Sequence, residues 1–204
     1  VAARTPEWKA ESGLAIAFEH QVFRALKAAE QVAAFVRVQY RRQGRAIDLR
    51  RWVGEGIIRE EMFTIVSVVD EQGDIVSSSQ ETGAVNYADR AFFQALQSDA
   101  RDELFVSPPV LGRVSGQWRI PMALRIVRGD GSFGGVVVMS VDPANFTAFY
   151  RQADLGDQGL LELAGLDGVV RGRKTGGTAS FRAEAQGMPG FRRRAHEREG
   201  ALLD

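Results

Sequence analysis

From about Pro6 to Arg42 the chain carries one unbroken helical pattern, and any fold must accommodate a rod of that length. Apolar residues recur at Phe18, Val22, Leu26, Ala29, Ala33, Val36 and Tyr40, every three or four positions, as one face of an α-helix requires. Thr5 is a good N-cap, and Pro6 follows at the first helical position, where proline is tolerated. Alanine, the best helix former, is dense throughout. At 1.5 Å per residue, a helix of ~35 residues is about 50 Å long, more than a small domain covers along its length. Ile16, Phe23, Phe35 and Val38 widen the apolar surface beyond a single stripe. The surplus face calls for a partner, and a second copy of the same helix is the simplest one, so a homodimer is expected. A helix lying wholly against its own sheet is the alternative.

After Gly44 the period changes to two. Phe63 to Val69 reads as a strand, Asp70-Glu71-Gln72-Gly73-Asp74 as a turn, and Ile75 to Ser79 as the returning strand. Asp89 stands as the cap of a short helix, Arg90 to Leu96, on which Phe92, Phe93 and Leu96 are helically spaced. Gln117 to Val127 then alternates Trp118, Ile120, Met122, Leu124 and Ile126 on one face. Gly129-Asp130-Gly131 makes a turn, Phe133 to Val141 returns, and a helix follows Asp142 from Pro143 to about Gln152. Strands come in adjacent pairs rather than alternating with helices. That predicts an α+β domain with an antiparallel sheet, not a doubly wound parallel one. The tail echoes this unit: Leu160-Leu161-Glu162-Leu163 with Asp167-Gly168-Val169-Val170 repeats the pattern of Val66 to Val76. The expected division is a stalk and dimerisation helix over 1–47, a sheet module over 48–152 and a partial second module over 153–204. The Gly- and Arg-rich stretch from Arg171 to Gly200 reads as loosely packed.

Charge and composition exclude several functions. Lys+Arg and Asp+Glu both number 26, so the basic surplus that nucleic-acid binding draws on is missing. With no cysteine, disulfides, thiolate catalysis and cysteine-held metals are ruled out. His20 and His196 lack metal-ligand spacing, and no nucleophile-elbow, phosphate-loop or dinucleotide glycine pattern occurs. Catalysis, a metal and a cofactor are therefore not expected. No apolar run reaches the ~18–20 residues of a membrane span. The chain begins Val1-Ala2-Ala3, which fits either a natively soluble protein or a soluble piece lying between membrane segments.

One ordered set of motifs narrows the choice. Asp89-Arg90-Ala91-Phe92-Phe93 is followed by Phe105-Val106-Ser107-Pro108-Pro109-Val110 and by Gly112-Arg113-Val114-Ser115-Gly116-Gln117-Trp118. Leu124 to Val137 and Ser140-Val141-Asp142 complete it. This order resembles the membrane-distal module of double-Cache (PAS-like) sensor domains of diguanylate cyclases and histidine kinases. Leu166-Asp167-Gly168-Val169-Val170-Arg171-Gly172-Arg173 resembles the start of the membrane-proximal module, which suggests a chain ending inside its second unit. The resemblance implies a periplasmic domain of an inner-membrane signalling protein, capturing a small molecule in the distal module and displacing its helices. A chemoreceptor sensor domain, a ligand-free dimerisation module, and a cytoplasmic PAS-type domain holding haem or flavin are the competing readings; for the last, neither histidine lies where an axial ligand should.

For the site, Arg90 is the leading candidate, since an arginine fork at the start of a helix suits a carboxylate or phosphate oxygen. Phe92, Phe93 and Phe105 are candidate pocket walls, with plain core as the competing reading. Tyr87 lies where a lid would be. Asp142 either meets a ligand's cationic group or caps the Pro143 helix, and Trp118 and Arg113 fit the family pattern as scaffold or site. Amino-acid-binding Cache domains are similar at Arg90 and Asp142, yet place an aspartate where this chain has Ser107 and a tyrosine where it has Val85. The resemblance thus implies a small organic acid, or another modestly polar metabolite, rather than an α-amino acid.

Overall fold

The computed structural model describes residues 7–59, 63–148, 160–165, 167, 169–175 and 178–180. Helix α1 runs Glu7–Gln43, the expected rod; its proposed Thr5–Pro6 start lies outside the described residues. The helix stops where Gly44 takes φ 58°, the left-handed conformation that ends many helices. A 3-10 turn, Gly44–Ala46, leads into a short helix α2, Leu49–Gly54, where the sequence reading placed a period-two pattern. Local chemistry explains the difference. Asp48 caps α2 by accepting from the Arg51 N–H at 2.9 Å, and Arg51 pairs with Glu55 one turn on.

The sheet is antiparallel and built from β1 (Ile65–Val69), β2 (Ile75–Ser78), β3 (Phe105–Val106), β4 (Val110–Leu111), β5 (Trp118–Val127) and β6 (Phe133–Val141). Its order is β2-β1-β6-β5-β3, with β4 also on β5. Both expected hairpins are present, and they join through β1 and β6, so the valine-rich β6 lies at the centre. The expected α+β architecture with a leading helix is met.

The two faces of the sheet are covered differently. Val66, Val68, Ile120, Met122, Leu124, Val137 and Met139 pack beneath α1, whose Ala29, Ala33 and Val36 are fully buried. Those small side chains let the helix approach the sheet closely. Ile16, Phe23, Phe35 and Val38 on α1 stay exposed. On the opposite face Val69, Ala123, Val136 and Val138 meet Phe92, Phe93 and Leu96 of α3 (Ala91–Ser98).

Pro143–Ala148 forms helix α4, and the rest of the expected run to Gln152 lies outside the described residues. Beyond it, β7 (Leu160–Ala164), β8 (Val170–Thr175) and β9 (Thr178–Ser180) make a second antiparallel sheet in the order β7-β8-β9. The expectation of loose packing from Arg171 onward is thereby corrected for residues 171–175 and 178–180. Arg171 is buried, grips both Asp167 oxygens at 2.5 and 2.8 Å, and donates to the Val106 carbonyl at 3.2 Å. A guanidinium satisfied in this way can be buried without an orphan donor. Residues 181–204, including His196, lie outside the described residues.

Candidate functional site

The segment that leads into α3 is held by the β1–β2 turn. Gly73 takes φ 90°, and its carbonyl accepts from the Tyr87 N–H at 2.7 Å. Asn86 Nδ2 donates to the Gln72 carbonyl at 3.0 Å and to Asp74 Oδ1 at 2.7 Å. A Cβ on Gly73 would stand 2.6 Å from the Ala88 nitrogen. Gly73→Ala is therefore expected to push the 86–90 segment off the turn and lower stability by about 2 kcal/mol. Urea denaturation checks this; a change under about 0.5 kcal/mol, the size of an ordinary surface substitution, would contradict it.

The start of α3 differs from the sequence expectation. Arg90 itself is the residue before the helix, with extended backbone and no side-chain cap, and Asp89 does not cap. Asp89 instead forms a two-pronged pair with Arg113, at 2.7 Å to Nη1 and 2.5 Å to Nη2, while Arg113 Nη1 also donates to the Asn86 carbonyl at 2.6 Å. A bidentate charge-assisted pair outweighs a single cap bond. Arg113 holds the Asp89 carboxyl below the usual carboxylate range. The anchor thus persists above the ordinary aspartate pKa and is released only as pH falls through the depressed one.

Between this segment and the sheet lies a small hollow, partly open to solvent, with about 20 Å³ of water-accessible space. Tyr87, Arg90 and Phe92 form one wall; Ile65 and Ser67 of β1 and Val138 and Ser140 of β6 form the floor. Arg119 and Pro121 of β5, with Val110, Gly112 and Arg113, complete it. This lining holds three guanidiniums and, among the described residues, no carboxylate. Arg90 Nη2 donates to the Leu111 carbonyl at 3.0 Å, and no described carboxylate lies within ion-pair distance of Arg90. Burial, and next the neighbouring Arg113, pull the Arg90 pKa below the ordinary arginine value; an arginine stays charged all the same. Its charge is undercompensated, a state that favours an incoming anion.

The other sequence candidates sort as follows. Tyr87 and Phe92 reach the hollow together, with ring centroids 5.7 Å apart edge to face, and burial raises the Tyr87 pKa. Phe93 and Phe105 are not on its lining. Phe93 is core, packed edge to face on Phe133, and Phe105 packs against the same cluster. Trp118, half-buried opposite Leu111, also lies off the lining. Asp142 plays two parts away from the lining. Its Oδ1 accepts from the Ala144 N–H at 2.8 Å as the cap of α4, and its Oδ2 meets Arg119 Nη1 at 3.2 Å. Ser107 is buried beside the lining: its N–H donates to the Pro121 carbonyl at 2.8 Å, and its Oγ has no partner. Sequence reasoning passed over Arg119, whose one signal was a charge on the register of β5 opposite its apolar stripe, a register it shares with Arg125.

No protein-family model matches the chain, and no curated protein matches it. Solved structures do. The extracellular domain of the candidate histidine kinase rpHK1S-Z16 superposes with a TM-score of 0.73 at 22% identity, over 90% of this chain and 78% of that one. The ligand-binding domain of the Pseudomonas aeruginosa amino-acid chemoreceptor PctC, in complex with GABA, gives 0.61 at 15% identity, over 79% and 75% of the two chains. That of the Pseudomonas fluorescens chemoreceptor CtaA, in complex with L-alanine, gives 0.60 at 12%, over 79% and 69%. The chain has the fold of extracellular sensor domains of histidine kinases and chemoreceptors.

Proposed function

We propose that this chain is the ligand-sensing domain of a bacterial transmembrane signalling receptor, working outside the cytoplasmic membrane, and that its hollow captures a small organic anion. The observation that carries this reading is Arg90, a guanidinium on the lining with no ion-pair partner among the described residues, whereas Arg113 and Arg119 beside it are each paired with an aspartate. Two structural neighbours hold amino-acid-type ligands, GABA and L-alanine. Here the acids nearest the hollow are engaged, Asp89 by Arg113 and Asp142 by Arg119, so an ammonium group has no receiving carboxylate. Capture, not catalysis, is the role proposed. The output module is of the histidine kinase, diguanylate cyclase or chemoreceptor type, and the captured anion shifts α3 and the 86–90 segment against the sheet.

Among the described residues no helix is long and apolar enough to cross a membrane, so anchoring falls to segments other than these. The exposed face of α1, with Ile16, Phe23, Phe35 and Val38, is the surface on which a second copy docks. Light scattering is expected to give a dimer that Phe23→Glu converts to a monomer; a wild-type monomer at high concentration overturns that part.

A thermal-shift screen of small carboxylates, amines and sugars tests the capture. Carboxylates are expected to raise the melting temperature, and Arg90→Ala to weaken their binding by about 10- to 100-fold, the worth of a charge-assisted hydrogen bond pair. Stabilisation by amines alone, or an unaltered response in Arg90→Ala, overturns the reading.

A further inference from the structure

We infer that Arg171 is a latch that makes the two sheets one cooperative unit and carries the state of the hollow to the second. Arg171 stands on β8 and is only 5% exposed. Within the β7–β8 hairpin, its Nη1 donates to Asp167 Oδ1 at 2.5 Å and to the Val169 carbonyl at 2.6 Å, and its Nη2 to Asp167 Oδ2 at 2.8 Å. Another bond crosses between the sheets, from Nη2 to the Val106 carbonyl at 3.2 Å. Val106 belongs to β3, the outer strand of the first sheet. Its neighbour Ser107 turns its N–H inward to the Pro121 carbonyl at 2.8 Å, so alternation aims the Val106 carbonyl at the open edge. A carbonyl on an open edge lacks a strand partner, and a buried guanidinium already held by a carboxylate is a well-aimed donor for it.

The hairpin is shaped around this contact. A Cβ on Gly165 would stand 2.5 Å from Arg171 Nη1 and 2.6 Å from Asp167 Oδ1, so the glycine leaves the room that the guanidinium fills. Apolar packing ties the same two parts: Leu163 of β7 lies against the core between α1 and the first sheet, and α4 runs beside β8. From the hollow the path is short. Pro121 lines it, the Pro121 carbonyl holds the Ser107 N–H, and the adjoining Val106 carbonyl holds Arg171. Hydrogen bonds in series through rigid strands are a physical route for coupling. That the latch reports occupancy of the hollow rests on the capture reading above; that it unites the sheets does not.

Native-state hydrogen exchange of the whole chain in rising urea tests the union without any ligand. In the wild type, β8 and β6 amides are expected to open together. Arg171→Ala should part them, with β8 exchanging at least about tenfold faster than β6. Gly165→Ala, a gentler variant that only displaces the guanidinium, should do the same. Arg173→Ala is the control: it removes a bond inside the hairpin, Arg173 Nε to Glu162 at 2.5 Å, and leaves the latch in place. It should hasten β8 and β6 by one common factor. Wild-type β8 opening independently of β6, or Arg173→Ala parting the sheets as Arg171→Ala does, overturns the latch. Saturating succinate then reads the relay. It should slow β8 exchange at least about fivefold in the wild type and leave it unaltered in Arg171→Ala. Slowing confined to β1 and β6 overturns the relay and leaves capture standing; slowing nowhere overturns both, while the urea series still decides the latch.

Discussion

Gly135→Ala is expected to cost the chain about 4 kcal/mol or more, enough to leave a domain of ordinary stability largely unfolded. Gly135 takes φ 108°, a region essentially closed to residues with a Cβ, and that alone costs of order 1–3 kcal/mol. A Cβ there would also run into the Val69 carbonyl oxygen and stand 2.9 Å from the Asp70 Cα. Relief is blocked, because β6 is hydrogen-bonded to β1 on one side and β5 on the other. The reason for a glycine here is a bulge. Register along the β5–β6 pair shifts between Arg125 and Val127, so Val127 opposes Phe133 while Arg125 opposes Val136. Phe133 and Val136 are three apart, yet both pack against the cluster around Phe93. Without the extra residue, alternation would turn Val136 and Val138 away from that face and remove Val138 from the hollow. Urea denaturation followed by circular dichroism reads the effect; a loss under about 1 kcal/mol would show that the bulge relaxes freely.

Arg125→Ala is expected to cost about 3 kcal/mol, with the damage centred on α3. Arg125 is a buried arginine on the face of β5 that meets α3. Its Nη1 donates to the Leu96 carbonyl and, at 3.1 Å, to the Gln97 carbonyl, and its guanidinium lies 4.9 Å from the Phe133 ring centroid. A cation thus sits on the last carbonyls of a helix, where the backbone dipoles favour positive charge. From the other side, Arg37 of α1 donates to the Arg125 carbonyl at 3.1 Å and pairs with Asp102. Since α3 carries Phe92 into the hollow, its loosening should also weaken ligand binding. Hydrogen exchange checks the placement: α3 amides should lose protection well before those of β6. Uniform loss across the sheet would mean that Arg125 stabilises the core generally and does not dock the helix.

What could be read from residues alone follows from how strongly each segment repeats itself. The leading helix and β6 were legible almost to the residue, because one has a long 3.6-residue apolar stripe and the other is a run of valines between a turn and Asp142. Strands β3 and β4 were not, since each has two residues and Pro108-Pro109 separates them. Helix α2 was hidden because a cap and one ion pair, not a stripe, make it helical. Of the residues on the hollow's lining, Arg90, Tyr87 and Phe92 could be singled out from sequence because they adjoin a helix start. Arg119 could not, because its place on the lining arises only when β5, β6 and the loop before α3 meet. The aspartates illustrate the same limit. Asp89 has the sequence of a cap, but Arg113, 24 residues away, claims it.

Crystallising the chain with succinate offers the most immediate check on anion capture by the guanidinium-lined hollow. The expected result is electron density for the acid between Phe92 and the floor strands β1 and β6, with one carboxylate within hydrogen-bond distance of the Arg90 guanidinium. A hollow closed over by its own side chains, with Arg90 still on the Leu111 carbonyl at saturating succinate, would contradict it.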